Sequence, residues 1–440
     1  MDKDMLDLCA LAIKTAKAAG ADACSAEITT DRSVEISYRE RKPETIKEAS
    51  TRDLLVRLYV NGRYSAQGTS DLRPDALKSF ITNAVAMTKL LAEDPFRTLP
   101  DPKYYTGRAA IDLGLVDPTY AAFTPAERHE CAKVLEDAAL KRGGDKVISV
   151  TAQVQDGHSE DALLTSNGFE GSSELTYFVN VAQMTAQDEG DRRPSAYSVR
   201  VAVNRKDLPP PEKVGIDAAE RTLALFGGKK IKTETLPIIV ENRIVPRIGD
   251  GLMQAMFGRA IQQKQSFLAD KKGQRIASEL LTFVDDPFLP KGLGSRLFDG
   301  DGITAQRRTM IEAGILKEFY VDWYYSRKLG WEPTTGAPSN IVVPPGTRSV
   351  PEIMKSLGRG ILITDFIGGN SNSTTGDMSI GIIGQLFDNG TIVHPVAEMN
   401  IADNHLKLWS RLIEVANDPW PYSSNRTPSM VFKDVVVSGI

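Results

Sequence analysis

Two histidines and one carboxylate lie close together near the C-terminal end of the sequence: His394, Glu398 and His405. Two imidazoles and one carboxylate form a ligand set that catalytic zinc sites use, so these residues are the chain's candidate metal ligands. Spacings of this kind bring side chains to one face of a helix, but the surrounding sequence predicts strands and loops. We therefore predict no metal site in this chain, and we interpret the three residues as polar surface or interface groups.

A second segment of chemical interest is Phe298-Asp299-Gly300-Asp301-Gly302, whose alternating acids resemble part of a calcium-binding loop. The third acid and the closing glutamate of such a loop are missing, which favours an ordinary turn. The sequence contains no nucleophile elbow, no Walker A loop and no glycine motif for dinucleotide binding. Cys131 falls on the apolar face of an amphipathic helix, where a thiol usually packs rather than reacts. We therefore assign no catalytic residue.

The composition is typical of a globular protein with reduced thiols. Hydrophobic residues make up 41% of the 440 residues and charged residues 25%, which excludes wholesale disorder. The formal net charge of −4, without long basic runs, predicts no contact with nucleic acid or with an anionic membrane surface. Three widely spaced cysteines (Cys9, Cys24 and Cys131) give no disulfide framework. The acidic first residues and the lack of an apolar run of ~18–20 residues favour a cytoplasmic protein without a membrane span.

The elements that would position these side chains begin with two similar segments. In the first segment, the residue pattern predicts a helix at 6–16, strands at 34–38 and 54–60, and a second helix at 77–84. Asn61-Gly62, after the second strand, is a signal for a type I′ hairpin turn. The second opens with a capping box, Thr124-Pro125-Ala126-Glu127, and its first helix ends at Gly143-Gly144. Strands and a final helix follow at 147–155, 175–187, 197–203 and 214–225. We predict an α+β fold with a duplicated N-terminal unit (helix–strands–helix, twice) over residues 1–115 and 116–230; two unrelated α+β stretches are the alternative.

Residues 231–440 predict a β-rich C-terminal domain. Short β-like runs punctuated by glycine occur at 236–240, 309–312, 341–343, 360–364, 380–387 and 392–393. Helices are predicted near 248–262 and 350–357. The glycine-rich stretch 368–376 predicts tight turns or, alternatively, part of a peptide-binding cleft. The aromatic run Trp323-Tyr324-Tyr325 predicts core packing or a subunit contact.

An ordered set of short motifs in this third part carries a family resemblance. In chain order they are Gly376-Asp377-Met378-Ser379-Ile380-Gly381, Asn389-Gly390, Pro395-Val396-Ala397-Glu398 and Asn400-Ile401-Ala402-Asp403-Asn404. In order and spacing the set resembles the signature of the TldD/PmbA family, and the resemblance extends over essentially the whole chain. Asp403 departs from the glycine expected at its position, so the backbone of that loop is expected to differ.

The resemblance implies a choice between two branches of the family. TldD-like members resemble zinc peptidases with an H-E-x-x-x-H helix and a later cysteine ligand, whereas PmbA-like (TldE-like) members lack those ligands. The corresponding helix here, Gly251–Ala260, contains no His, Glu, Asp or Cys, and no cysteine follows position 131. Met, Gln and Ala cannot hold zinc, whose protein ligands are thiolate, imidazole and carboxylate. The chain is therefore identified as a member of the PmbA branch, with no cofactor of its own.

Membership of this branch implies a non-catalytic subunit that scaffolds a zinc-bearing TldD-like partner in a heterodimeric, chambered protease for unfolded or small peptides. The signature residues Gly376, Asp377, Glu398 and Asn404 are the expected peptide-cleft or interface positions. Two alternatives stay open: a stand-alone peptidase with an unrecognised site, and a homodimeric binding or regulatory protein without a protease partner. The family's name as a modulator of DNA gyrase adds no expectation of DNA contact, because no basic patch predicts one.

Overall fold

The chain begins with two consecutive helix–strands–helix units. A computed structural model describes residues 3–440. The first unit contains α1 (Lys3–Ala18), β1 (Ala23–Arg39), β2 (Lys42–Val60), β3 (Arg63–Thr69) and α2 (Pro74–Thr88). The second contains α3 (Pro125–Gly143), β4 (Val147–Thr165), β5 (Glu170–Ala186), β6 (Ser195–Ala202) and α4 (Pro211–Leu223). The predicted order of helix, strands and helix, occurring twice, is confirmed.

All six strands of these units form one antiparallel sheet in the order β3-β2-β1-β4-β5-β6. The units meet where β1 pairs with β4, in a register that runs from Ser25↔Thr165 to Arg39↔Thr151. Each unit supplies three adjacent strands, so the sheet has an approximate twofold arrangement about this seam. The strands β3 and β6 form its two edges.

Helices cover one face of this sheet because alternate residues of its long strands are apolar. Along β1, Ala26 and Ile28 belong to the core with residues of α1 and α2. Farther along the same strand, Val34 and Ile36 belong to the core with residues of α3 and α4. The two-residue period of a strand keeps both sets on the same side, so one strand serves two helix pairs.

Two local signals set the ends of elements as predicted. Asn61 and Gly62 have φ angles of 50° and 72°, the left-handed pair that a type I′ turn between β2 and β3 requires. At the start of α3, the Thr124 hydroxyl accepts from the backbone N–H of Glu127, and the Glu127 carboxylate accepts from the backbone N–H of Thr124. This is the capping box that the sequence predicts.

The part of the chain from Glu234 onward is rich in strands. The strands are β7 (Glu234–Val240), β8 (Phe283–Asp285), β9 (Arg308–Glu312), β10 (Ile315–Leu316), β11 (Ile341–Val342), β12 (Arg359–Ser371), β13 (Asp377–Asp388), β14 (Thr391–Asn404), β15 (Leu412–Val415), β16 (Asn425–Arg426) and β17 (Met430–Ser438). The helices are α5 (Val245–Ala255), α6 (Gly258–Gln262), α7 (Trp323–Leu329), α8 (Val350–Leu357) and α9 (His405–Ser410). The predicted β-rich third part is thus confirmed.

Six of these strands form a second sheet in the order β14-β13-β12-β7-β17-β15. The strand β14 also pairs with β17 through Asn400↔Ser438 and Ile401↔Val437, so the sheet closes on itself around a large apolar core. The strands β12, β13 and β14 are 13, 12 and 14 residues long, longer than the short runs that the sequence predicts. A smaller sheet has the order β10-β9-β8-β11-β16.

The single helix predicted near 248–262 is wrong, because two helices occupy this stretch. Between α5 and α6, Phe257 has an extended backbone and forms a bridge with Tyr320. The N–H of Gly258 donates to the Tyr320 carbonyl at 2.7 Å, and the N–H of Tyr320 donates to the Met256 carbonyl at 3.0 Å. A distant strand-like segment therefore takes the main-chain groups that would have continued the helix.

The aromatic run at 323–325 lies where the third part meets the first unit. The hydroxyl of Tyr324 donates to the Asp94 carboxylate at 2.7 Å, and the indole N–H of Trp323 donates to Thr98 at 2.9 Å. The guanidinium of Arg97 lies 3.5 Å from the Tyr324 ring centroid. The run packs within the chain as the start of α7, a helix that the sequence patterns do not predict. Within residues 3–440, no helix has both the length and the apolar character needed to cross a bilayer.

Candidate functional site

Three of the four predicted cleft or interface residues lie together where β12 turns into β13. Asn404, at the end of β14, donates through Nδ2 to the Asp377 carboxylate and to the Thr375 carbonyl, at 3.0 Å each. Its Oδ1 accepts from the backbone N–H of Leu406 at 3.1 Å and so caps α9. One amide side chain therefore fixes the relative positions of β13, β14 and α9.

Gly376 is required in this turn for both conformational and steric reasons. Its φ of +82° is left-handed, and a Cβ atom there would lie 3.1 Å from Asn404 Nδ2 and 3.2 Å from the Phe267 ring. Its N–H donates to the Asn372 carbonyl, and its own carbonyl accepts from the N–H of His405, at 2.7 Å each. The tight turn predicted for this glycine-rich stretch is therefore present.

Asp377 is the charged member of this turn, and its side chain is exposed. Hydrogen bonds from Asn404 and then from Thr375 lower the pKa of its carboxyl below the usual range. The group is ionised at neutral pH and held in one orientation at the surface. A fixed, exposed carboxylate of this kind suits contact with another chain.

Behind the turn, His405 forms a pair with Ser371 that the sequence did not reveal. The imidazole Nε2 lies 2.7 Å from Ser371 Oγ, and the ring stacks on Phe267 with centroids 5.9 Å apart. Only 1% of His405 is exposed, and this burial lowers its pKa to about 4, against the opposing effect of Asp403. The imidazole is thus neutral at physiological pH.

The helix α5 approaches this pair through a glycine. A Cβ atom on Gly251 would lie 2.1 Å from His405 Nε2 and 2.5 Å from Ser371 Oγ. The close approach leaves no room for a side chain on the face of α5 that meets the pair. At this contact α5 therefore offers only its backbone.

The residues around α5 do not fit a zinc ion. Zinc in a catalytic site takes three protein ligands, usually His, Cys, Asp or Glu. At the contact with Gly251, the donors are one imidazole, whose Nε2 is already bonded to Ser371, and a serine hydroxyl. The one carboxylate of α5, Asp250, belongs to no group of three close potential ligands among residues 3–440. The imidazole Nδ1 of His405 is buried and has no hydrogen-bond partner among the described residues, but a single nitrogen cannot replace a ligand set.

The structure does not bring together the three candidate metal ligands of the sequence. His394 lies on β14 and its Nδ1 contacts the carbonyl of Pro395 at 2.9 Å. Glu398 is exposed, and its carboxylate lies 3.4 Å from Lys230 Nζ. His405 is buried against Ser371. The three side chains therefore lie in three different environments and cannot bind one ion together.

Glu398 is also the signature residue that lies apart from the turn. Its φ of +56° is left-handed, at a point where the β13–β14 register shifts between Ile382↔Met399 and Gly384↔Val396. The extra residue makes a β-bulge. Next to the bulge, the N–H of Ala397 donates to the Lys229 carbonyl at 3.3 Å, so the bulge contacts the segment that follows α4.

Asp403, the departure from the family pattern, has a structural role. Its carboxylate accepts from Arg411 Nη1 at 2.9 Å and from the backbone N–H of Asn404 at 2.8 Å. Its φ is not left-handed, so a glycine is not required there. The ion pair connects the end of β14 with the residue that follows α9.

One other group of residues could in principle hold a metal. Within residues 3–440, His158, Glu160 and Glu174 form such a group. Their potential ligand atoms all lie within 4.8 Å of one another. These lie on β4 and β5 in the N-terminal sheet, and His158 Nε2 is 2.7 Å from Glu174 Oε1. The histidine–glutamate contact already pairs two of the three groups.

The thiols of Cys9 and Cys24 are buried, and that of Cys131 is half-buried. Burial raises the pKa of Cys9 to about 12, of Cys24 to about 11 and of Cys131 to about 12. The thiol of Cys131 lies 3.6 Å from Asn180 Oδ1 beside the core of the second unit. A thiol that stays protonated is a poor nucleophile and a poor metal ligand.

Sequence patterns could not identify the Ser371–His405 pair or the Phe267 ring beside it. Ser371 and His405 are 34 residues apart, and Gly251 is farther still. The signal that points to this region is the ordered signature, because Gly376 and Asn404 frame the same turn. Only the pairing of β12, β13 and β14 places those residues beside α5.

Comparison with known families and structures covers almost the whole chain. Profiles described as PmbA/TldA metallopeptidase domain 1, central domain and C-terminal domain match residues 24–88, 119–226 and 233–439. A metalloprotease PmbA from Escherichia coli O157:H7 is 29% identical over 435 residues, which are 98% of this chain and 94% of that protein.

Solved structures give the same result. A candidate modulator of DNA gyrase from Bacteroides thetaiotaomicron is 35% identical and superposes with a TM-score of 0.97, over 100% of this chain and 99% of that one. TldE from Thermococcus kodakarensis shares the fold, with a TM-score of 0.87 at 21% identity, over 97% of this chain and 99% of that one. The chain therefore belongs to the PmbA/TldD metallopeptidase family, among its PmbA/TldE-like members.

Proposed function

We propose that this chain is the non-catalytic, PmbA/TldE-like subunit of a cytoplasmic metalloprotease of the TldD/TldE type. In this proposal it scaffolds a TldD-like partner that carries the zinc ion and completes an enclosed chamber for unfolded or small peptides. The observation that supports it best is the contact of α5 with Ser371 and His405 through Gly251. A metallopeptidase helix needs ligand side chains at such a position, and here the space is filled.

The chemistry of the donor set supports the same proposal. Metal-assisted hydrolysis requires an ion with an open coordination position and a group that takes a proton from the bound water. The neutral imidazole of His405 is buried and hydrogen-bonded to Ser371. It therefore provides neither a metal site with an open position nor a base for a bound water. Hydrolysis by the assembly would then depend on the partner's residues.

In this proposal, the turn formed by Gly376, Asp377 and Asn404 is the part of this chain that contacts the partner or the peptide. Its backbone is fixed by the hydrogen bonds of Asn404, and the Asp377 carboxylate is exposed and ionised. A preorganised polar turn loses little conformational entropy when it meets a partner or a bound peptide. We assign it to the wall of the chamber or to the subunit interface.

The test is a reconstitution from separately purified chains. This chain and the TldD-like protein of the same organism are assayed alone and mixed, for zinc content and for cleavage of an unstructured peptide. We expect this chain alone to be free of zinc and inactive, and the mixture to co-elute and to cleave. A mixture whose TldD-like chain carries Gln in place of the glutamate of its H-E-x-x-x-H helix is the control, and it should assemble without activity.

Two outcomes would replace the proposal by its alternatives. Zinc-dependent cleavage by this chain alone would make it a stand-alone peptidase, with His158, Glu160 and Glu174 the first residues to substitute. A stable homodimer that never assembles with the TldD-like chain would make it a binding or regulatory protein.

A further inference from the structure

A cavity of about 490 Å³ lies between the N-terminal sheet and the third part of the chain. This volume is within the range of small-molecule sites, which are ~300–1,000 Å³. The segment 296–301 and Asp322 form one wall. The other wall belongs to the sheet face that carries no helices, because its residues alternate with the core positions. These sheet residues are Glu27, Arg57, Asp161, Leu163 and Ser173.

The wall formed by segment 296–301 is fixed against the sheet. A Cβ atom on Gly171 of β5 would lie 2.9 Å from the Phe298 ring, so the missing side chain leaves room for this ring. Asp299 Oδ1 accepts from the N–H groups of Asp301 and Ile303 at 3.0 Å each. The acids of this segment are therefore held in place by the protein itself.

Carboxylates outnumber cations in the cavity. Two arginines line it, together with five acids: Glu27, Asp161, Asp299, Asp301 and Asp322. Arg57 Nη1 lies 2.9 Å from the Glu27 carboxylate, so these two charges compensate each other. Arg296 instead donates to the Pro338 carbonyl at 3.1 Å and to the Thr335 hydroxyl at 3.2 Å. Within residues 3–440, no lysine or arginine forms a contact ion pair with the other four carboxylates.

Asp301 has the least compensated carboxylate. Its Oδ2 accepts from the N–H of Trp323 at 3.4 Å, and its Oδ1 accepts no hydrogen bond from the described part of the chain. Asp301 keeps part of its surface accessible in the cavity, although its carboxyl lies deep among protein atoms. Burial, followed by the repulsion of Asp299 and Asp322, raises its pKa to about 7, against the opposing charge of Arg57. A cation beside Oδ1 would offset this repulsion.

The arrangement suits an ammonium group better than a metal ion. A metal ion needs several ligand atoms that converge on one point. Among residues 3–440, these acids form no group of three whose ligand atoms lie within 4.8 Å of one another. An ammonium group has three N–H donors on a flexible stem, so it can contact carboxylates that lie farther apart. The apolar side chains of Leu163, Leu297 and Phe298 line the same cavity and suit methylene groups.

We propose that this cavity binds a linear aliphatic diamine or polyamine, with one ammonium group beside Asp301 and Asp322 and a second beside Asp161 on the sheet. Acids on both walls favour a ligand with a positive charge at each end. Its methylene chain contacts Leu163 and Phe298. The site goes beyond the proposed function, because it requires neither a zinc-bearing partner nor hydrolysis.

The test is isothermal titration calorimetry of the full chain with 1,4-diaminobutane, at low salt and pH 7. The matched ligands are n-butylamine, which has one ammonium group, and 1-butanol, which has none. We expect saturable binding of one diamine per chain, about tenfold weaker binding of n-butylamine, and no binding of 1-butanol. Acetylated dilysine amide and calcium chloride are titrated in the same way, and both should bind more weakly than the diamine.

Proton release locates the ammonium group beside Asp301. A cation favours the ionised carboxylate, so binding at pH 7 should release up to about half a proton per ligand. Titrations in two buffers that differ in ionisation enthalpy and contain no primary amine measure this release. It should disappear at pH 8.5, where Asp301 is already ionised. Binding without proton release at pH 7 would overturn this placement.

Two variants test the site from the protein side. Asp301→Asn and Asp322→Asn should each weaken the diamine about tenfold. Asn still caps α7 at position 322, so the second variant keeps the fold even if the first does not. The control is Glu312→Gln, which removes an exposed acid that pairs with Lys317 at 2.9 Å outside the cavity, and it should leave binding unchanged.

Several results would overturn the proposal. Equal affinity for the diamine and n-butylamine would exclude the second ammonium contact, and undiminished binding by both aspartate variants would exclude this cavity. Tighter binding of calcium would make the site a metal site, and tighter binding of the dilysine would assign the ammonium groups to a peptide. The proposed function is tested separately, since the chain can bind a diamine without assembling with a zinc-bearing partner, and the reverse.

Discussion

At the scale of single residues, the contact between Gly251 and the Ser371–His405 pair decides what this region can do. The space between Gly251 of α5 and the His405 imidazole is too small for any side chain larger than the hydrogen of glycine. The imidazole is buried, neutral and held by a serine hydroxyl. These three residues therefore form a closely packed contact.

The variant Gly251→Ala tests this contact. Its Cβ atom would lie 2.1 Å from His405 Nε2, so the helix or the imidazole must move, and we expect a loss of about 2 kcal/mol or more in the free energy of unfolding. The matched control is Gly249→Ala in the same helix, where no atom lies within 4 Å of the added Cβ. The control should be neutral or stabilising by up to about 1 kcal/mol. Urea unfolding of both variants measures the difference, and equal effects would contradict the packed contact.

His405 also predicts a dependence of stability on pH. Its pKa is lowered to about 4 in the folded chain, from an ordinary value of 6.5, so the unfolded chain binds more protons between these values. Stability should therefore rise as pH increases from about 4 to 6.5, with a contribution on the order of 3 kcal/mol. The variant His405→Phe should flatten this part of the stability–pH curve. An unchanged slope in urea titrations at several pH values would contradict the assignment.

At the scale of elements, the turn between β12 and β13 depends on one amide. Asn404 caps α9 and bonds to both Thr375 and Asp377. The variant Asn404→Ala removes the cap and both donors, so we expect a loss of about 1–2 kcal/mol. Asn404→Asp keeps an acceptor for the cap but places a second carboxylate beside Asp377, and its cost should fall with added salt. Thermal unfolding at low and high salt distinguishes the two variants, and salt-independent effects of equal size would contradict this role.

Local chemistry explains which elements could be predicted from the sequence. The Asn61-Gly62 turn and the capping box at Thr124 depend on residues within four positions of one another, so their patterns sufficed. The break between α5 and α6 could not be predicted, because its cause is a pairing with Tyr320 more than 60 residues away. At the candidate site, the signature motifs identified Gly376 and Asn404. They did not identify the Ser371–His405 contact, because its two residues are 34 positions apart in the sequence.

At the scale of the whole molecule, the first unit and the third part meet around a group of acids. A cavity of about 490 Å³ is lined by Glu27 and Arg57 from the N-terminal sheet and by Asp299, Asp301 and Asp322 from the third part. The predicted ordinary turn at 298–302 is present, since Asp299 Oδ1 accepts from the N–H groups of Asp301 and Ile303 at 3.0 Å each. Burial, followed by Asp299 and Asp322, raises the pKa of Asp301 to about 7, against the favourable charge of Arg57.

This arrangement makes the stability of the whole chain sensitive to pH in the opposite sense to His405. Between its ordinary value of 3.8 and about 7, Asp301 binds more protons in the folded chain than in the unfolded one. Stability should therefore fall as pH rises through this range. The variant Asp301→Asn should be more stable than the parent at pH 8, by on the order of 1–3 kcal/mol, and similar to it at pH 4. Thermal unfolding at the two pH values measures this, and a variant less stable at pH 8 would contradict it.

The central claim concerns the assembly, and native mass spectrometry of the chain co-expressed with its TldD-like partner tests it most directly. We predict a complex that contains both chains, with as many zinc ions as partner chains, and a form of this chain alone that carries none. Zinc retained by this chain alone, or a failure of the two chains to associate, would contradict the proposed role as a non-catalytic subunit.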